Sequence, residues 1–119
     1  MGRQVVGTSP LEIHARPLSP THGAQSGLER ARADLAIYLA GADPYRDDRL
    51  GRLKLTKQGL AERDRLVLGR CRAAGLPVAV TMAGGYARRV EDTADIHFET
   101  VRLAAELSRG PRVDKARPR

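Results

Sequence analysis

Two short apolar runs and two amphipathic stretches set the pattern of the chain. "LAIYLA" (35–40) is a continuous apolar run, as a strand buried on both faces would show. "PVAVTMA" (77–83) is a second such run, rich in strand-favouring residues. Between them, Thr56 is placed to cap a helix running to about 74, with Leu60, Val67, Cys71 and Ala74 on one face. Gly75 then stands at the position after the cap and Pro77 just beyond, a combination that stops a helix. A second helix is predicted from about 89 to 107, with Val90, Ala94, Phe98, Val101, Ala104 and Ala105 as its apolar stripe. The order strand–helix–strand–helix predicts an α/β fold, a parallel sheet with right-handed crossovers.

The flanks carry less pattern. Residues 1–33 read as a loop-rich segment, with a short extended piece at 4–6 and a helical turn at 28–33. Residues 34–107 form the α/β segment. Residues 108–119, "SRGPRVDKARPR", are charged, hold Gly and Pro, and read as a basic disordered tail.

The sheet geometry gives the loops meaning. Right-handed crossovers place the C-terminal ends of both strands on one edge of the sheet, where open α/β folds carry their ligands. The first strand ends at Gly41-Ala42-Asp43, followed by Asp47 and Asp48; the second ends at Gly84-Gly85-Tyr86. Asp43 has two readings, a metal or catalytic ligand and a turn former before Pro44. Gly84 and Gly85 let backbone approach a ligand, or make an ordinary strand-to-helix turn. Tyr86 is a hydrogen-bond donor to a substrate carbonyl, or an aromatic packed at the loop base.

Composition narrows the classes. At 119 residues the chain is enough for one modest domain, and 41% apolar residues exclude compositional disorder. No apolar run reaches the ~18 residues of a membrane span, and "MGRQVVGTSP" lacks the apolar core of a signal peptide. Cys71 is the one cysteine, which rules out an internal disulfide and fits a reducing, cytoplasmic setting. The net charge of +7 raises a nucleic-acid reading. However, 18 arginines against 3 lysines are spread along the whole chain, and stacking aromatics are nearly absent. A solvated, arginine-rich surface accounts for the charge, so nucleic acid is not the expected partner.

"AGADPYRDDRLGRLKLT" (40–56), followed about 30 residues later by "AGGYAR" (83–88), resembles the C-terminal half of the histone deacetylase family. That family includes acetylpolyamine amidohydrolases and acetoin-utilisation proteins. Gly41, Ala42, Asp43, Asp48, Leu50 and Gly51 satisfy its Gly-Ala-Asp-x-x-x-x-Asp-x-Leu-Gly pattern, and the resemblance covers about 34–106. It implies a partial three-layer, arginase/deacetylase-like parallel sheet. It implies that Asp43 is one of three zinc ligands and that Tyr86 donates to the acetyl carbonyl. Leu50, Gly84 and Gly85 would line the substrate channel for an acetylated lysine or polyamine.

Other parts of the family pattern have no counterpart. The resemblance calls for a His-His pair and an Asp-x-His zinc motif upstream of Asp43. The 42 residues there hold only His14 and His22, neither paired nor two places after an Asp. "DIH" (95–97) has the right spelling but lies within the last helix, where residues two apart point in nearly opposite directions. His97 instead falls beside Val90, Ala94 and Val101 and reads as a buried, hydrogen-bonded core histidine. Cys71 reads as core. Asp47 and Asp48 could add oxygens beside Asp43, but such a site would suit magnesium or calcium. The expectation is therefore a C-terminal deacetylase segment, inactive alone, to which an N-terminal complementary half would belong. A truncated frame, half of a split enzyme and a non-catalytic remnant all remain open. The alternative class is a small basic binding module.

Overall fold

The computed structural model describes residues 33–111. The expectation for 4–6 lies outside that range, as do all but the last residue of the turn at 28–33, His14, His22 and 112–119. Four elements follow one another: β1 (Ala36–Gly41), α1 (Lys57–Ala73), β2 (Val78–Ala83) and α2 (Val90–Ser108). The strands pair in parallel, from Ala36 opposite Val78 to Gly41 opposite Ala83. The fold is thus the α/β arrangement predicted. β1 sits one residue later than its apolar run suggests, and β2 begins after Pro77.

The helix signals act as read. Thr56 is extended, and its hydroxyl accepts from the Gly59 N–H at 3.0 Å, satisfying a donor that the first turn leaves unpaired. At the other end Gly75 takes φ 64°, and two bonds close the helix: Gly75 N–H to Arg72 C=O and Leu76 N–H to Cys71 C=O, both 2.9 Å. A side chain at that left-handed position would be strained, which is why glycine stands there. The presumed tail is anchored at its start, because α2 continues to Ser108 and the Arg72 guanidinium donates to the Pro111 carbonyl.

Both helices cover one face of the sheet. Tyr38 and Ala40 of β1 meet Ala61 and Leu68 of α1 and Leu103 of α2, with Val78 and Val80 of β2 packed against them. Three expectations need correction. The strands are not buried on both faces: Ile37 is 65% exposed and Leu39 56%. They point away from the helices, and no described element lies over them. Two layers, the parallel sheet and its helices, are built by the described residues, consistent with the partial three-layer fold expected. Finally, the buried side of α2 is Ile96, Thr100 and Leu103, with Ala104 and Leu107 partly covered. Val90, Phe98 and Val101 of the predicted stripe are exposed. On α1, Leu60 and Cys71 are buried as expected, but Ala74 is exposed.

Charge also enters the core. Arg63 and Asp64 are both buried on α1 and ion-paired at 2.9 Å. Asp64 further accepts from the Tyr38 hydroxyl at 2.6 Å and from the Thr100 hydroxyl. Arg63 donates to the Gly41 carbonyl at 2.7 Å, at the end of β1. Burial, reinforced by the adjacent Asp64, pushes the Tyr38 phenol well above its ordinary value against the pull of Arg63. So the phenol stays a donor. Among the described residues no helix is long and apolar enough to cross a membrane.

Candidate functional site

The site is built by the two loops that leave the C-terminal ends of β1 and β2. They are stitched together by backbone: Ala42 N–H donates to Gly84 C=O at 2.7 Å, Arg49 N–H to Tyr86 C=O and Arg88 N–H to Asp47 C=O, both at 3.0 Å. The side chain that locks them is Asp48. One of its oxygens accepts from Leu50 N–H at 2.8 Å and Gly51 N–H at 2.7 Å; the other accepts from Tyr86 N–H at 2.7 Å. Burial alone would raise its pKa, but the three N–H bonds outweigh that and hold the carboxyl below its ordinary value. Asp48 is thus consumed as a clamp between the loops, not offered to a cation. The signal in the sequence was Asp48 followed three residues later by Gly51, an aspartate able to bond its own downstream backbone. Asp47 meets Arg46 at 3.7 Å on the surface.

Asp43 occupies a different position. It is half-buried just beyond β1, and its carboxylate folds back over the strand ends. A Cβ at Gly41 would stand 2.5 Å from its Oδ1, and one at Gly84 would stand 3.7 Å away. Gly51 is needed to make this turn. A Cβ there would lie 1.8 Å from the Asp43 carbonyl oxygen, a collision with backbone that cannot move aside.

Tyr86 is held by its N–H while its side chain is 61% exposed, so it is not packed at the loop base. With Leu50, Arg49, Ala87, Arg88, Val90 and Glu91 it lines a shallow depression. Asp43 lies outside that lining. The glycines divide in role. Gly84 lies beside the Asp43 carboxylate, whereas Gly85 faces inward: a Cβ there would be 2.8 Å from Thr93 Cγ2 and 2.9 Å from Ala42 Cβ. Close packing of loop against α2 therefore accounts for Gly85.

His97 lies next to Gly85, as its Nε2 would be 3.7 Å from that Cβ. It is half-buried, and its Nδ1 is shielded from solvent with no partner among the described residues, so the hydrogen bond expected for it is not formed. Cys71 is buried, and burial pushes its thiol up, which suits core packing and not a nucleophile. Lys57 bridges Asp92 and Asp95, both at 2.7 Å, and so ties the start of α1 to α2.

A zinc site of the catalytic type needs three protein ligands. Among the described residues no group of three His, Cys, Asp or Glu side chains is close enough to hold a metal. Asp43 is a single carboxylate, and by itself it falls short of such a site.

The family model for the Histone deacetylase domain matches residues 22–101. An uncharacterized protein of Picosynechococcus sp. is 42% identical over 86 residues, which cover 72% of this chain and 29% of that protein. The chain thus spans less than a third of the length of this relative.

Proposed function

Because the chain belongs to the histone deacetylase domain family, we propose that it is the C-terminal segment of a zinc-dependent deacetylase-like amidohydrolase. Its reaction is removal of acetyl groups from lysine or polyamine amides, and the segment by itself is inactive. The observation that carries this reading is the Asp48 clamp. It fixes the Gly-Ala-Asp loop to the Gly-Gly-Tyr loop at one edge of a parallel sheet.

Each loop then has a role. Asp43 would contribute one carboxylate to a zinc site whose other ligands come from outside the described residues. A metal held there would supply Lewis-acid chemistry toward an amide carbonyl. Tyr86, with its N–H tied down and its phenol open, would donate to the acyl oxygen as negative charge develops there. Leu50, 70% exposed beside Tyr86, would form a wall of the acyl channel. No described histidine is placed to act as general base, so that group would come from outside the described residues.

The test is a chimera in which this chain replaces its matching stretch in the Picosynechococcus relative. The chimera should bind zinc and release acetate from acetyl-lysine or acetylpolyamine substrates. Asp43→Asn should lose metal. Tyr86→Phe should keep metal and lose about 10²–10³-fold in turnover, as removal of one oxyanion donor does. Full activity in Tyr86→Phe refutes the role of the phenol. A chimera that folds but neither binds zinc nor releases acetate, while the 119-residue chain binds DNA with strong salt dependence, favours the basic binding module.

A further inference from the structure

The buried ion pair of α1 reaches the loops from within the core. Arg63 and Asp64 are 3% and 1% exposed, a burial that charges tolerate only when their polar atoms are paired. The Arg63 guanidinium works in two directions. Its Nε and Nη2 donate to Asp64 Oδ1 at 3.1 and 2.9 Å, and its Nη1 donates to the Gly41 carbonyl at 2.7 Å. That carbonyl belongs to the Gly41–Ala42 peptide unit, whose own N–H, on Ala42, donates to the Gly84 carbonyl at 2.7 Å. A peptide unit is planar, so bonds at both of its ends fix its orientation. It is held from α1 on one side and from the loop after β2 on the other. Asp43 is the next residue, and its carboxylate rests over the same two glycines. A Cβ at Gly41 would stand 2.5 Å from its Oδ1, and one at Gly84 3.7 Å. Turning the peptide unit would carry the carboxylate with it.

We propose that Arg63 is a positioning residue: by holding the Gly41–Ala42 peptide unit, it sets where the Asp43 carboxylate stands beside the Gly-Gly-Tyr loop. The inference rests on the deacetylase-like reading of these loops. Neutralising Asp64 does not by itself call for arginine. A lysine would supply the charge, but its compact ammonium lacks the planar fork that serves Asp64 and the Gly41 carbonyl together. The fork is itself held in place. Asp64 accepts from Tyr38 of β1 and Thr100 of α2, so three elements fix the group that fixes the peptide unit. Support of this kind, locked by packing and hydrogen bonds, is what keeps a site side chain in one geometry.

The experiment reads placement and turnover separately. Amide exchange of the full 119-residue chain is compared for the parent, for Arg63→Lys and for Arg63→Met with Asp64→Leu. Circular dichroism shows that each variant folds, and the double variant leaves no buried charge unpaired. Exchange at Ala42 should speed up about tenfold or more relative to Leu68 and Leu103 in the helices, as loss of one charge-assisted hydrogen bond would allow. Lys57→Met cuts the surface tie from α1 to α2 and should leave Ala42 within about twofold of the parent. In the chimera with the Picosynechococcus relative, both Arg63 variants should lower kcat about tenfold or more and change KM less than about threefold, as misplacement of a reacting group does. Exchange that rises evenly through the core, or an unchanged Ala42, overturns the proposal, since the pair is then structural only. So does a loosened Ala42 with full turnover in the chimera. A loosened Ala42 together with a parent chimera that releases no acetate supports the hold on the peptide unit and counts against the deacetylase reading instead.

Discussion

Beneath the helices lie an arginine, an aspartate and a tyrosine hydroxyl, every one of them paired. On the far face of the sheet and the outer arc of α2 lie isoleucine, leucine, phenylalanine and valine, all exposed. Hydrophobicity alone would predict the reverse. The contrast teaches that one side of the unit is finished and the other is not. Burying a charge pair is tolerable only when each polar atom finds a partner. The network meets that condition with Tyr38, Thr100 and the Gly41 carbonyl. Exposed hydrocarbon of this extent marks a surface meant for contact.

The largest effect should come from breaking the finished side. Asp64→Ala leaves Arg63 buried without its counter-charge, and urea titration should show a loss of about 3–5 kcal/mol. Replacing both charges together, as Arg63→Met with Asp64→Leu, should cost far less, since well-packed apolar pairs substitute for buried ion pairs. Equal losses in the two variants would show that the pair itself is not what matters. Tyr38→Phe removes one hydrogen bond to a charged acceptor and should cost about 1.5–3 kcal/mol.

Asp48→Asn tests the clamp at the rim between the two sides. The amide carries its own N–H groups toward a backbone N–H, so a loss of about 1–3 kcal/mol is expected. The pH dependence follows from the direction of the shift. A carboxyl held below its ordinary 3.8 in the folded state contributes stability above that value. The contribution fades as pH falls through the lowered folded value. Stability measured from pH 5 down to pH 2 should therefore fall less steeply in Asp48→Asn than in the parent. An unchanged acid limb would show that the three N–H bonds contribute no net stability.

The smallest effect should come from the unfinished side. Phe98→Ser in the isolated chain should change stability by no more than about 0.5 kcal/mol, as exposed substitutions do. The same change should lower the binding of a hydrophobic dye and any tendency to self-associate. A loss above 2 kcal/mol would mean that Phe98 is already packed and that the contrast is false.

Much of the finished side was legible in the chain. Thr56 and Gly75-x-Pro77 mark helix ends because each solves a local backbone problem that needs no tertiary partner. Asp43 and Tyr86 could be placed on one sheet edge because crossover handedness is general. The covered arc of α2 could not be chosen, because its apolar residues extend round more than half the helix and either half could meet the core. Arg63 and Asp64 were invisible for a different reason. A charge reads as solvent-facing until its partners are known, and these lie on other elements, at Tyr38, Gly41 and Thr100. The composition of the strands calls for cover on both faces, and among the described residues only one face has it.

The most direct test of the central claim is acetate release measured with zinc content, for the 119-residue chain alone and for the chimera with the Picosynechococcus relative. The account predicts no stoichiometric zinc and no acetate from the chain alone. In the chimera it predicts zinc-dependent release that Asp43→Asn abolishes. Stoichiometric zinc and acetate release from the isolated chain would contradict it.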